Sequence, residues 1–250
     1  MNIVDNVSLT VIGSGDAFCS DGRFNSCYYV EWGDKKVLLD CGPTSLAAIR
    51  KCSLDPMAVD IIVISHLHGD HIAGIPFLIL EADKAAKRKK PLTIITPPDG
   101  ERRIKEVSAL LYPDAMTMFQ NLDIRFVQYS QDAEIEIEGF RMNFFEVSHN
   151  PLVNPHGFRI EKDSKILAYS GDTGWTDILY QIADNADLFI CECNFYERET
   201  LTHLNYKKIV AEQQNLKAKR MILTHFGKES LAHYSEIKGE KAEEGECILF

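Results

Sequence analysis

The sequence predicts an α/β (α+β) protein in which two mixed β-sheets face each other and helices cover their outer faces. Two observations lead there. Each half of the chain opens with closely spaced short strands and then alternates helices with strands, an order that two packed sheets with outer helices satisfy. Several apolar strands also end in His, Asp or Glu, at the positions where active sites collect in layered α/β proteins.

Taken in order, Val7–Ile12, Ser26–Trp32 and Lys36–Asp40 are short, rich in β-forming residues and punctuated by Gly, Asp or Lys. Pro43–Cys52 reads as a helix with proline near its first turn. Ile61–Ser65 is a continuous apolar run, which suits a strand buried on both faces. His71–Arg88 is expected to be helical, Leu92–Thr96 a buried strand and Asp99–Leu111 a further helix. The charge run Lys84–Lys90 is expected to close the helix before it as a solvated end, because cations suit the carbonyl end of a helix. In the second half, Asp123–Gln128, Glu134–Glu138, Phe140–Val147, Gly157–Glu161 and Lys165–Tyr169 follow one another closely, which favours antiparallel pairing. Trp175–Asp184 and Tyr206–Asn215 read as helices, and Asp187–Glu192 and Met221–Thr224 as strands. With no long linker, low-complexity tract or repeat, residues 1–250 are expected to form a single domain.

Composition narrows the classes. Apolar residues make up 45% and charged residues 26%, which argues against a disordered chain and against a fibre. The net charge of −10 disfavours a surface that coats long nucleic acid, since neutralising many phosphates takes clustered Lys and Arg. It leaves room for a local site that grips one phosphate. Residues 1–10 lack the basic start and apolar run of a signal peptide, and Ile72–Leu80 is about half of a membrane span. A cytoplasmic protein without a membrane partner is therefore expected. The seven cysteines are odd in number and scattered, so reduced thiols are expected. Cys191 and Cys193 read as neighbours on one face of a strand rather than as a metal pair.

The chemistry concentrates in Ser65-His66-Leu67-His68-Gly69-Asp70-His71. Three histidines and an aspartate fall within six residues, directly after a buried strand. A loop leaving a strand end aims alternate side chains into one spot, and a helix starting near Asp70 aims the next two from another angle. That is what two adjacent metal ions require, and imidazole and carboxylate suit zinc and its neighbours. Three later strands repeat the pattern of ending in such a residue: Phe144–Ser148 leads into His149, Leu167–Gly171 into Asp172, and Met221–Thr224 into His225. Together these are seven ligands, enough for two ions that share one carboxylate.

In these motifs the sequence resembles the metallo-β-lactamase-fold hydrolases, whose mark is His-x-His-x-Asp-His followed in order by the three later ligands. Gly13-Ser14-Gly15, Gly22-Arg23-Phe24-Asn25-Ser26, Ser170-Gly171-Asp172-Thr173 and Leu223-Thr224-His225 make it similar to the branch that holds the zinc phosphodiesterases and ribonuclease Z, the tRNA 3′-processing endonuclease. The resemblance covers residues 7 to 227 and implies a four-layer αβ/βα sandwich with the metals at one edge between the sheets. By position it implies that His66, His68 and His149 hold one ion, that Asp70, His71 and His225 hold the other, and that Asp172 and a water or hydroxide bridge them. Such a water is a nucleophile near neutral pH, and Asp70 could also orient it or take its proton. Two divalent ions against Asp70, Asp172 and a hydroxide leave one net positive charge, which suits a monoanionic phosphodiester. Zinc is favoured, with manganese, iron, cobalt or nickel as alternatives.

Comparison within the resemblance sharpens the choice. His68 stands where the redox flavodiiron branch has Glu, and Asp172 stands where common dizinc β-lactamases have Cys. Relatives of ribonuclease Z carry a Glu and a downstream His before the last ligand. Glu192 and His203 match them, though Leu204 replaces a small hydroxyl residue, and the alternative is that His203 caps the helix beginning near Leu204. By resemblance His203 protonates the leaving oxygen and Glu192 holds it. The endonuclease's long Gly-rich arm between the third ligand and the bridging Asp is missing, because Asn150–Gly171 suffices only for two strands and a turn around Lys162–Ser164. A small anionic phosphodiester, such as a cyclic nucleotide, a nucleotide or a short oligonucleotide, is therefore the expected substrate. Arg23, Asn25 and His156 are candidate substrate contacts. Gly13-Ser14-Gly15 is expected to be a tight turn rather than a phosphate loop, since no helix follows and no Lys-Ser/Thr completes it. The alternatives carried forward are an acyl hydrolase on the same metals, a tRNA-processing-like endonuclease and a non-catalytic metal-binding module. A homodimer is left open, since dimers are common among the relatives.

Overall fold

The computed structural model describes residues 7–130 and 134–250. The first six residues, part of the stretch read for a targeting signal, lie outside the described residues. The first sheet is built from β1 (Ser8–Gly13), β2 (Cys27–Trp32), β3 (Lys35–Leu39), β4 (Ile61–Val63), β5 (Leu92–Thr96) and β6 (Ile124–Gln128). The second contains β7 (Glu134–Ile137), β8 (Phe140–Glu146), β9 (His156–Lys162), β10 (Lys165–Tyr169), β11 (Leu188–Glu192), β12 (Met221–Thr224) and β13 (Glu240–Lys241). Then β14 (Cys247–Leu249) returns to the edge of the first sheet. The spatial orders are β14-β1-β2-β3-β4-β5-β6 and β13-β12-β11-β10-β9-β8-β7.

Three apolar layers hold the sheets and helices together. Val30, Leu39 and Val63 from the first sheet meet Phe144, Phe158 and Ile190 from the second in the inner core. Strand β8 shows why this sequence makes a strand: Phe140, Met142 and Phe144 are buried, while Arg141 between them is exposed. Each buried Phe of this layer contributes about 1.5–3 kcal/mol. The outer face of the first sheet carries α1 (Ser45–Lys51), α2 (Gly69–Ile72), α3 (Ile75–Leu80), α4 (Gly100–Leu111) and α5 (Ala115–Asn121), whose Ile49, Ile72, Ile79, Ile104 and Met118 cover Ile62 and Ile94. Leu179 of α6 (Ile178–Ala183) and Ile209 of α7 (Tyr206–Glu212) cover Phe189 and Leu223 of the second sheet. A last short helix, α8 (Lys228–Ala232), follows β12. The alternation of layers is the sandwich expected from the sequence.

Four details depart from the sequence reading. Ile124–Gln128 pairs parallel with β5 in the first sheet instead of opening an antiparallel second half, because α4 and α5 return the chain to the same direction. The helix expected over 71–88 is broken between α2 and α3 and ends in a π-helical turn at Glu81–Ala85. Pro76 in the first turn of α3 lacks an N–H, and Gly74 lies against the backbone of Cys41 and Gly42. Arg88 is not a solvated helix end: it is buried and donates to the carbonyls of Met57, Val59, Lys90 and Pro91. The elements α5, α8, β13 and β14 are too short to give a periodic signal. Elsewhere the expected elements stand: β7 to β10 pair antiparallel, and the β9–β10 turn places Asp163 and Ser164 at positive φ. Cys191 and Cys193 are buried in the outer core of the second sheet, and all seven cysteines are free thiols. Among the described residues no helix is long and apolar enough to cross a membrane.

The parallel pairings position the site. β3 runs parallel to β4, and β10, β11 and β12 run parallel to one another, so within each sheet their carboxyl ends share an edge. Gly74 tests how tightly the connection after α2 is held. A Cβ built there would stand 2.1 Å from the Gly42 carbonyl oxygen, which is backbone and cannot swing away. Gly74→Ala is expected to cost about 1–3 kcal/mol, read as a lower thermal midpoint in calorimetry; an unchanged midpoint would show that α2 and α3 adapt freely.

Candidate metal centre

Each sheet delivers ligand-type residues from the ends of those strands. After β4 the chain leaves the ladder at Ser65, and His66, His68, Asp70 and His71 follow through the start of α2. His149 follows β8, Asp172 follows β10 and His225 follows β12. Gly171 makes the turn into Asp172 possible. Its φ is +59°, and a Cβ would stand 2.7 Å from the His156 carbonyl oxygen.

Among the described residues the side chains converge in two separate groups, each able to hold a metal ion, His66, His68 and His149, and Asp70, His71, Asp172 and His225, while His149, Asp172 and His203 make a third that overlaps both. His68 Nδ1 lies 3.1 Å from His66 Nε2 and 3.2 Å from His149 Nε2. Asp172 Oδ2 lies 3.3 Å from His71 Nε2, 3.2 Å from His225 Nε2 and 3.8 Å from His66 Nε2, so it stands between the two groups.

The protonation states suit cations. Burial, aided by His71, holds His66 well below the usual histidine range, and burial lowers His68 and His149 too. These rings are therefore neutral, the form that ligates metals. Burial pushes the Asp172 and Asp70 carboxyls up, but the facing histidines overcome it and hold both below the ordinary carboxylate range. Burial opposes charge on His71, yet Asp172, Asp70 and Asp40 raise it well above the ordinary value. His71 Nε2 and Asp172 Oδ1 are buried with no hydrogen-bond partner within the described residues. The converging neutral nitrogens of His66, His68 and His149, with the unpaired Asp172 Oδ1 beside them, fit a divalent-metal centre.

A second layer fixes the ligands from behind. The far nitrogens of His66, His71, His149 and His225 meet Ser65 Oγ, Asp40 Oδ2, the Thr202 carbonyl and Ser26 Oγ. Asp40 is the residue that the sequence reading missed. It is fully buried, lies 2.7 Å from His71 Nδ1, and accepts from the Ser65 amide, the Ser65 hydroxyl and the Tyr169 hydroxyl. Its signal was available: the strand read as Lys36–Asp40 ends in an acid, as those before Asp172 and His225 end in ligands.

Glu192 and His203 meet. Glu192 is fully buried, and its Oε1 lies 3.1 Å from His203 Nδ1 and accepts from the Thr173 amide, while Oε2 accepts from the Asn194 and Leu204 amides. His203 faces the ligands: its ring is 4.9 Å from that of His149 and stacks on His225 at 5.5 Å. Burial would lower its pKa, but Glu192 outweighs it and raises His203 to about 9. His203 is not a helix cap, since Asn205 caps α7 by accepting from the Lys208 amide.

The three candidate substrate contacts are engaged elsewhere. Arg23 donates to Ser14 and the Ala242 carbonyl, pairs with Glu243 and stacks on Tyr234. Asn25 is buried and ties Asp16 to Thr44. His156 is buried, with Nδ1 on the Asn154 carbonyl and its ring against Tyr129. These contacts knit the loops that carry the ligands. Gly13-Ser14-Gly15 likewise forms a close loop contact, with the Gly15 amide on the Phe24 carbonyl.

The family model described as "Anti-Pycsar protein Apyc1" matches residues 7–243. The chain belongs to this family. It is also similar to ribonuclease Z of Lachnoclostridium phytofermentans, with 24% identity over 272 residues covering 88% of this chain and 87% of that one. The probable metallo-hydrolase YhfI of Bacillus subtilis is 26% identical over 222 residues, covering 88% and 86%. The crystal structure of that YhfI, a metallo-β-lactamase fold protein, superposes with a TM-score of 0.78 at 24% identity over 98% of this chain and 100% of that one. The short form of human tRNase Z gives 0.75 at 20% identity over 96% and 98%. The metallo-β-lactamase fold and the metal-dependent hydrolase expected from the sequence thus both stand for this member of the Apyc1 family.

Asp40 provides the test of the second layer. Asp40→Asn keeps the shape but weakens the hold on His71, and is expected to lower metal affinity about 10–100-fold with the fold intact. Competition against a chelator reads this directly; wild-type affinity would return Asp40 to a purely structural role.

Proposed function

We propose that this Apyc1-family chain is a dinuclear metal-dependent phosphodiesterase acting on a small phosphodiester, with a cyclic nucleotide as the leading substrate and zinc as the favoured metal. His66, His68 and His149 would hold one ion, Asp70, His71 and His225 the other, and Asp172 would serve both. Ions bound there would supply a water activated near neutral pH and would neutralise phosphate charge. The observation that carries the reading is His203, held by Glu192 and turned toward the ligands. With Nδ1 engaged by Glu192 and a pKa raised to about 9, the ring is protonated at neutral pH, and Nε2 can give its proton to the leaving oxygen. Asp70, kept ionised beside His71, can orient the attacking water or take its proton.

The short connection between His149 and Asp172 supports a small substrate. It holds one short turn, β9 and β10, and leaves no length for a clamping arm. The alignment with ribonuclease Z spans 272 positions against a chain of 250 residues, so that relative carries inserted segments. The net charge of −10 also works against a long polyanion.

The reading is tested first on purified, metal-loaded protein with bis(p-nitrophenyl) phosphate beside a p-nitrophenyl ester and a thioester, the metal-stripped chain serving as control. Metal-dependent release from the diester alone is expected; release from the acyl substrates alone would move the activity to an acyl hydrolase, and no release to a non-catalytic module. His203→Ala is expected to lower turnover about 10²-fold or more while metal content, measured by mass spectrometry, stays at the wild-type level. An unchanged rate would remove His203 from catalysis.

A further inference from the structure

Three large apolar side chains stand almost fully in solvent on the loops that build the metal centre. Phe18 is 83% exposed, Leu152 81% and Leu201 84%. Leu152 lies in the short turn after His149, where the next residue, Val153, accepts from the Leu67 amide inside the histidine cluster. Leu201 accepts from Ser148 Oγ through its carbonyl, and its neighbour Thr202 holds His149 Nδ1. Phe18 sits in the turn anchored by Asp16, and the adjacent Gly15 bridges to Phe226, directly after His225. Each side chain thus stands within three residues of a backbone or side-chain contact to a ligand or to its chain neighbour, and the three loops converge from different parts of the chain.

We propose that Phe18, Leu152 and Leu201 form an apolar rim around the metal centre that holds the flat heterocyclic base of a nucleotide while its phosphodiester lies on the ligands. This deepens the phosphodiesterase reading and rests on it. The charges of the same loops favour that occupant over a strand of nucleic acid. Across residues 14–26, 149–155 and 199–204 the only Lys or Arg is Arg23, which is held by Ser14, Ala242 and Glu243, while Asp16, Asp21 and Glu199 are acidic. Beyond His203 these stretches carry little positive charge for additional phosphates, whereas the faces of an uncharged ring gain apolar contact there while its polar edge stays in water. Beside Leu201 the rim opens into a cavity of about 350 Å³ that Trp175, Glu199, His203 and Lys208 also line, Lys208 being paired with Glu212, and this is ligand-sized space.

The test compares a 3′,5′-cyclic nucleotide with trimethylene phosphate, which keeps the six-membered cyclic diester and lacks sugar and base, both followed by phosphorus NMR on metal-loaded protein. The variant is Phe18→Ser with Leu152→Ser and Leu201→Ser, all at exposed positions. Removing the rim is expected to lower kcat/KM for the cyclic nucleotide at least about tenfold relative to that for trimethylene phosphate, the scale of lost base stacking, with the change in KM. An equal loss on both diesters, or no loss on the cyclic nucleotide, overturns the rim while leaving the phosphodiesterase standing. An equal loss accompanied by a change from dimer to monomer in light scattering reassigns these residues to contact between copies. A wild-type chain that hydrolyses neither diester overturns the parent reading and the rim with it.

Discussion

The buried carboxylate of Asp40 is the constraint on which the site depends. It ends a strand of the first sheet, is sealed from solvent, and accepts from Ser65, His71 and, across the sheet interface, Tyr169. A buried charge is tolerated only when surrounded by donors, and removing one donor costs more than the bond itself. One group therefore fixes the path of the chain leaving β4, the ring orientation of His71 and the spacing of the two sheets. Its backbone is at a φ of +54°, an uncommon conformation for a residue with a side chain, held by these contacts.

Around Asp40 the protein assembles groups that repel one another in isolation. Three neutral imidazoles, His66 buried and His68 and His149 half-buried, point nitrogens at one another within 3.2 Å, and two ionised carboxylates stand beside them. Such crowding is costly unless positive charge is shared among the groups, which is what a metal centre does. The bonds behind the ligands, to serine hydroxyls, a carbonyl and Asp40, keep the rings oriented for that purpose. Glu192 extends the same device one step further, holding His203, which faces the seven ligand-type residues.

The surroundings of the centre bear on what it acts upon. The hairpin between His149 and Asp172 is minimal, Arg23 is held by Ser14, the Ala242 carbonyl and Glu243, and the rim is apolar and acidic. On the proposed reading, ions held there would concentrate positive charge at one point inside a chain of net charge −10, which would match one phosphate rather than many.

The sequence by itself picked out the seven ligand-type residues that the structure brings together, and the order of the layers. His66, His68, Asp70 and His71 are close enough in the chain for local geometry to bring them together, and β8, β10 and β12 each run straight into a ligand. Strand β8 was legible for the same reason: its alternating burial is written in adjacent residues. Only the tertiary structure decided what depends on distant pairs. The meeting of Asp40 with Tyr169 spans 129 residues, and that of Ser26 with His225 spans 199. The turn of His203 toward the ligands, the parallel pairing of β6 in the first sheet and the engagement of Arg23, Asn25 and His156 are of the same kind. Contacts at such separations leave no periodic trace in the chain, because they are selected by the packing of two sheets and not by the conformation of neighbours.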